Sequence, residues 1–190
     1  ILSSNLVQNG DFSEEGAEEV SNGSFSQEGA ELVTNGDFAT DSDWTKQNGS
    51  SISGGVANVI AKGSLTTSAG NWALYQSGVL APSKFYKVVF DARQTTGTGS
   101  FLSGQGYSNN FNQAITTSWV QYEYILPTST NTGYGRDFIC FGGGTLNDVF
   151  EVDNVSVKQV DPNNEWSLGA GWSIGEDVAT CDGTNSSAIN

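Results

Sequence analysis

Residues 107–113 place two aromatic side chains, Tyr107 and Phe111, among four side-chain amides. A large aromatic ring offers a broad apolar face, which can stack on the C–H surface of a sugar while neighbouring amides bind its hydroxyls. The alternative interpretation is a turn whose aromatic side chains cap the core. The sequence predicts a glycan-contact set of aromatic and amide residues: Trp72, Tyr75, Tyr107, Asn109, Asn110, Phe111 and Tyr134.

Catalytic chemistry has little support in this sequence. The chain has no histidine, which removes the commonest general base and the commonest zinc ligand and makes a Ser-His-Asp set impossible. No pattern brings two carboxylates to face each other, as glycoside hydrolysis requires. Cys140, between Ile139 and Phe141, is predicted to be a buried small residue and not a nucleophile. We therefore expect a protein that is not an enzyme.

The net charge of −14, from 21 acidic and 7 basic residues, narrows the range of partners. It would repel a nucleic-acid backbone and an anionic membrane surface. No apolar run is long enough to span a membrane. We expect neither nucleic acid nor membrane insertion. An acidic surface suits an extracellular protein, although solubility alone would also explain it.

A short motif that ends in Phe occurs three times in the first 40 residues, at Asn9, Asn22 and Asn35, with a step of 13 residues. Each copy begins with Asn-Gly, which favours a turn. The three units could stack as a solenoid, or they could be a duplicated domain start of which only the third copy is used. The second arrangement is favoured because each unit has too few large apolar residues to form a core. It leaves an arm that can pair with a neighbouring chain.

Short alternating segments separated by turns run from residue 31 to about residue 160. The apolar face of two of them comprises Tyr86, Val88, Phe90 and Ala92, and then Val120, Tyr122, Tyr124 and Leu126. Further strands are predicted at residues 56–62, 72–80, 137–141 and 149–157, and turns at residues 95–99 and 142–144. This pattern predicts an all-β fold of the sandwich or jelly-roll type.

The chain is predicted to have three parts. A repeat arm covers residues 1–30, the β-sandwich covers residues 31–160, and residues 161–190 form a linker and an incomplete second β unit that opens at Trp166. The two cysteines, Cys140 and Cys181, fall in different parts and form no disulfide framework or metal-ligand spacing.

The middle part resembles the carbohydrate-binding modules of families 4, 9 and 22. The resemblance rests on residues 31–38 followed by Trp44, on residues 86–90 and 119–122, and on the closing residues 150–157. It implies a β-jelly roll, in which Trp44 and Trp119 match structural tryptophans. It also implies a structural Ca²⁺ site, with a carboxylate from Asp153 and ligands from Gly36 and Asp37. Ala39 stands where the family often has Glu.

Two functions from different classes follow. The same type of module resembles repeats in bacteriophage virion proteins, which often occur in tandem and open much like residues 166–172. The first hypothesis is therefore a non-catalytic structural subunit of a virion appendage or extracellular fibre, which forms a homo-oligomer or polymer through its arm and tail. The alternative is a polysaccharide-binding module that docks a glycan through the aromatic and amide residues. Both imply an extracellular or virion-surface location.

Overall fold

Antiparallel β-strands form the fold of this protein. The computed structural model describes residues 20–24, 27–65, 71–106, 108–130, 136–161, 166, 168, 171–175 and 178–183. Within them the chain forms thirteen strands and no helix. The strands are β1 (Glu28–Glu31), β2 (Thr45–Lys46), β3 (Ser51–Ser53), β4 (Val56–Ile60), β5 (Leu74–Gln76), β6 (Phe85–Thr96), β7 (Ser100–Gln105), β8 (Phe111–Ala114), β9 (Val120–Pro127), β10 (Ile139–Gly143), β11 (Val149–Val160), β12 (Trp172–Gly175) and β13 (Val178–Cys181).

Two sheets enclose the core, as the jelly-roll prediction requires. One sheet has the order β3-β4-β11-β6-β9, with β1 paired to β11, and the other has the order β2-β5-β10-β7-β8. The main core takes apolar side chains from both sheets, including Phe90, Phe101, Phe141 and Phe150. Because the core needs only one face of each sheet, the other face of each is left for loops or solvent. No described helix has the length and apolar character to cross a membrane.

The two clearest alternating segments lie as predicted. In β6 every second side chain from Tyr86 to Ala92 is buried. In β9 Tyr122, Tyr124 and Leu126 are buried, but Val120 is 40% exposed, because it begins a strand that pairs only with β6. The alternation therefore predicts the faces correctly along these strands and fails at the free end of one of them.

Gly142 and Gly143 lie within β10 and not in the predicted turn. The pairing of β10 with β7 shifts register between Phe141 and Gly143, so the glycines form a bulge. A bulge inserts one extra residue and bends the strand, and Gly142 supplies the required positive φ of 103°. Strands β7 and β8 were not predicted, because neither has a regular alternation of apolar residues.

The predicted arm and tail are described in part, and both contact the sandwich. β1 begins at Glu28 and pairs with β11, so the sandwich starts slightly before the predicted boundary. In the tail, β12 and β13 form a hairpin, and β12 packs against β6. Residues 1–19, which hold the first repeat, lie outside the described residues.

Candidate functional site

The outer face of the five-stranded sheet carries the side chains with the best potential for ligand contact. Cross-strand pairing places Thr45, Tyr75, Cys140 and Gly104 in one row over four strands. Leu74 and Phe141, their neighbours along the strands, point into the core. Since successive side chains of a strand alternate between faces, the row lies on the side away from the core.

Three aromatic rings, from Trp72, Tyr75 and Phe138, form an aromatic cluster on this face. The Tyr75 and Phe138 rings stack with centroids 4.7 Å apart and planes 17° apart. The Trp72 ring meets both at steep angles, with centroids 5.4 Å from Tyr75 and 5.0 Å from Phe138. Trp72 and Phe138 are buried with Leu65 and Leu102, whereas Tyr75 is half-buried. Tyr75 is thus the member that a ligand can reach.

The predicted amides Asn109 and Asn110 hold two loops together over the middle of this face. The Asn109 side chain accepts a hydrogen bond from Leu65 N (3.1 Å) and donates one to Ser64 Oγ (3.1 Å). The Asn110 side chain accepts one from Gln105 N (3.2 Å). Both amides therefore have structural work to do, and we leave them out of the proposed contact surface.

Phe111 belongs to the core, which corrects its placement among the contact residues. Its ring packs against Phe90 (5.4 Å between centroids), Tyr122 (5.9 Å) and Tyr124 (5.3 Å), and its side chain is buried. The alternative interpretation of residues 107–113, with an aromatic residue that caps the core, fits this position. Two other predicted residues, Tyr107 and Tyr134, lie outside the described residues.

Two exposed polar residues on the outer face were absent from the predicted set. Asn112 pairs with Leu102, which belongs to the cluster under the loops, so its amide points to the same side. Thr45 lies beside Tyr75 on the edge strand β2. Among the described residues neither side chain makes a hydrogen bond. The amide-rich segment contained Asn112, but only its strand register distinguishes it from Asn109 and Asn110.

Trp119 is 38% exposed and is not the buried structural residue that the family resemblance implied. The Arg93 guanidinium carbon lies 5.0 Å from the centre of its ring. Arg93 Nε in turn bonds Glu151 Oε2 at 2.5 Å. Trp44, by contrast, is buried against Phe38 and Phe141, as the resemblance implies. Trp119 therefore forms a second exposed aromatic position, on the opposite sheet.

The residues implied for Ca²⁺ do not gather into a metal site. The Gly36 carbonyl already accepts a hydrogen bond from Val155 N at 2.8 Å, and Asp37 Oδ1 accepts one from Ala39 N. No group of three or more acidic, cysteine or histidine residues in the described part of the chain could hold a metal. Hard cations need six to eight oxygen ligands. The calcium site stays a prediction, and no step of the account depends on it.

Asp153 carries an unfavourable charge at neutral pH. Burial raises the pKa of its carboxyl group, and the nearby Asp91 and Asp37 carboxylates raise it further, against the hydrogen bond from Asn154 N. A carboxyl group whose pKa is raised on folding destabilises the folded state when ionised. That penalty is complete above the raised pKa and disappears as the pH falls below the unfolded value of about 3.9.

We expect Asp153→Asn to raise the melting temperature at pH 7 without calcium, by about 1–2 °C. The difference from wild type should shrink towards zero as the pH falls to about 4, and thermal melts in EDTA from pH 7 to pH 4 measure it. Melts in excess calcium test the metal: if Asp153 is a ligand, the substitution should lower the melting temperature there. An equal gain with and without calcium would remove the calcium prediction.

Solved structures similar to this chain are carbohydrate-binding modules. A family 22 xylan-binding domain from Paenibacillus barcinonensis is 12% identical, with a TM-score of 0.46 over 70% of this chain and 96% of that one. A family 4 module is 20% identical, with a TM-score of 0.39 over 74% and 99%. The second N-terminal cellulose-binding domain of a Cellulomonas fimi β-1,4-glucanase is 20% identical, with a TM-score of 0.43 over 69% and 95%. No protein-family model and no curated protein matches the sequence.

Proposed function

We propose that this protein is a non-catalytic, extracellular polysaccharide-binding module whose contact surface centres on Tyr75. The observation that carries the proposal is the position of the Tyr75 ring on the outer face of the five-stranded sheet. Phe138 stacks on it and Trp72 supports it from the side, so its orientation is fixed before a ligand arrives. A ring held in place loses little conformational freedom on binding.

The surroundings of Tyr75 suit a neutral polymer better than a charged ligand. Thr45 offers a hydroxyl beside the ring, and Asn112 offers an amide on the far side of the loops. Tyr75 and Asn112 lie three strand spacings apart across the sheet, roughly 14 Å, which is longer than one sugar ring. The ligand class that fits is a chain of several sugars without negative charge, because the protein itself carries a net charge of −14.

Tyr75→Ala should weaken polysaccharide binding about 10- to 100-fold, because it removes the stacking surface, worth about 1.5–3 kcal/mol. Native gels that contain xylan, mixed-linkage glucan or hydroxyethylcellulose measure this through retarded migration. Tyr75→Phe keeps the ring and should retain most of the binding. Trp119→Ala, on the opposite sheet, is the matched control and should bind as wild type does. Loss of binding in Trp119→Ala but not in Tyr75→Ala would place the site elsewhere.

A structural role in an extracellular or virion appendage is the second candidate. It is favoured by the bonding of arm to tail: Asn22 Nδ2 donates to Asp161 Oδ1 at 3.0 Å, and Trp166 Nε1 donates to the Asn22 carbonyl at 3.1 Å. These contacts lie within one chain, so they do not by themselves require a neighbour. Light scattering separates the two roles, because a polymeric species would support the appendage and a monomer at all concentrations would oppose it.

A further inference from the structure

Two Asn-Gly turns of the repeat have the same local structure, and a tryptophan holds each one. Asn22 and Asn35 have φ values of 50° and 52°. In each case the side-chain oxygen accepts a hydrogen bond from the backbone five residues later, Gln27 N at 3.0 Å and Thr40 N at 3.2 Å. The Asn35 carbonyl accepts a bond from Trp44 Nε1 (3.0 Å), as the Asn22 carbonyl does from Trp166 Nε1.

We name the position at Trp44 seat A and the position at Trp166 seat B. The repeat units are unit 1, which ends in residues 9–12, unit 2, residues 15–25, and unit 3, residues 28–38. In the structure, unit 3 occupies seat A, and the Asn-Gly turn of unit 2 occupies seat B. Three units are thus available for two seats.

Four residues of unit 3 make the contacts that define seat A. The Glu31 carboxylate accepts hydrogen bonds from Val157 N at 2.8 Å and Ser156 Oγ at 2.6 Å, and it also accepts bonds from the backbone that follows it. Val33 and Phe38 are buried in the core. At Gly36 a side chain would collide with the Val155 carbonyl oxygen, so only glycine fits.

Unit 2 carries the same residue at every one of these positions. Glu18, Val20, Gly23 and Phe25 correspond to Glu31, Val33, Gly36 and Phe38, and eight of the eleven positions in units 2 and 3 are identical. The three positions that differ are Leu32, Thr34 and Asp37, and all three are exposed in seat A. Their replacement by Glu, Ser and Ser leaves the buried contacts of the seat intact.

From these contacts we infer that the arm has a second register, displaced by one unit of 13 residues. In it, unit 2 occupies seat A, unit 1 occupies seat B, and unit 3 is released as a loop before Thr40. The chain length between the two seats is the same in both registers, because the step is constant. The exchange occurs within one chain, since a short tether gives unit 2 an effective concentration in the millimolar range. Closing the added loop has a modest entropic cost.

A double-mutant cycle at two glycines tests this inference. At Gly23 an added Cβ would lie 3.6 Å from Val20 Cγ1, an ordinary contact, so Gly23→Val alone should change the melting temperature by less than about 2 °C. Gly36→Val blocks unit 3 but leaves unit 2 able to fill seat A, so it should lower the melting temperature by only a few degrees. The double variant blocks both units, and we expect a loss of more than about 10 °C.

Additive effects would overturn the inference: Gly36→Val alone would then be as damaging as the double variant, whether or not either one folds. Cleavage by a glutamate-specific protease gives a second measurement. In folded Gly36→Val, Glu28 and Glu31 should become the preferred cleavage sites, because unit 3 is released. Cleavage at these two residues no faster than in wild type would also overturn it.

Discussion

Replacing Phe90 by alanine should lower the free energy of unfolding by about 3–5 kcal/mol, the usual cost of removing a large buried ring. Phe90 is fully buried in the middle of β6. Its ring lies between 5.3 and 6.5 Å from five other aromatic rings, centroid to centroid: Phe101, Phe111, Tyr122, Tyr124 and Phe141. These rings come from both sheets, so the resulting cavity would loosen the contact between the layers.

Thermal or urea unfolding measures this loss, which should appear as a fall in melting temperature of roughly 10 °C. The matched control is Phe85→Ala, on the same strand but on its outer face, where the ring is half-buried. It should cost about 1–2 kcal/mol. If the two variants were equally destabilised, the central packing of Phe90 would be contradicted.

Gly142→Ala should destabilise the fold by about 2–5 kcal/mol. Gly142 has a φ of 103°, which an L-residue adopts only at a cost of about 1–2 kcal/mol. An added Cβ would also collide with Ala73 Cβ and lie 2.8 Å from Val59 Cγ1, and both of these residues are fully buried. Forcing an extra methyl group into a packed core typically costs a further 1–3 kcal/mol.

Gly78→Ala isolates the backbone contribution to that loss. Gly78 has a similar positive φ of 75°, but an added Cβ there would have no heavy atom within 4 Å. It should cost only about 1–2 kcal/mol. The same urea-unfolding series serves for both variants, and an equal loss in the two would mean that the β10 bulge does not press against Ala73 and Val59.

The fold was predictable wherever one strand face meets the core and the other meets solvent. Residues 85–93 alternate because β6 is central to its sheet, and the sequence shows which face is buried. β7 lacks this pattern, because the loops cover its outer face, so Leu102 is buried on the outer side as Phe101 is on the inner side. A strand covered on both sides has no alternation to detect.

The site was harder to predict because residue type does not show exposure. Tyr75 and Phe111 have similar apolar surface, yet Tyr75 lies on the outer face and Phe111 in the core. Similarly, Asn109 and Asn112 are identical side chains three residues apart, but the loop uses one and leaves the other exposed. These differences depend on strand register, which is set by pairing between residues far apart in the chain.

The most direct test of the account is an NMR titration of the ¹⁵N-labelled protein with cellohexaose and xylohexaose. We predict saturable shifts of backbone amides around Tyr75, Thr45 and Asn112, with weaker effects in the Tyr75→Ala protein. Shifts centred on Trp119 and Arg93, or no shifts with either sugar chain at millimolar concentration, would contradict a polysaccharide-binding surface on the five-stranded sheet.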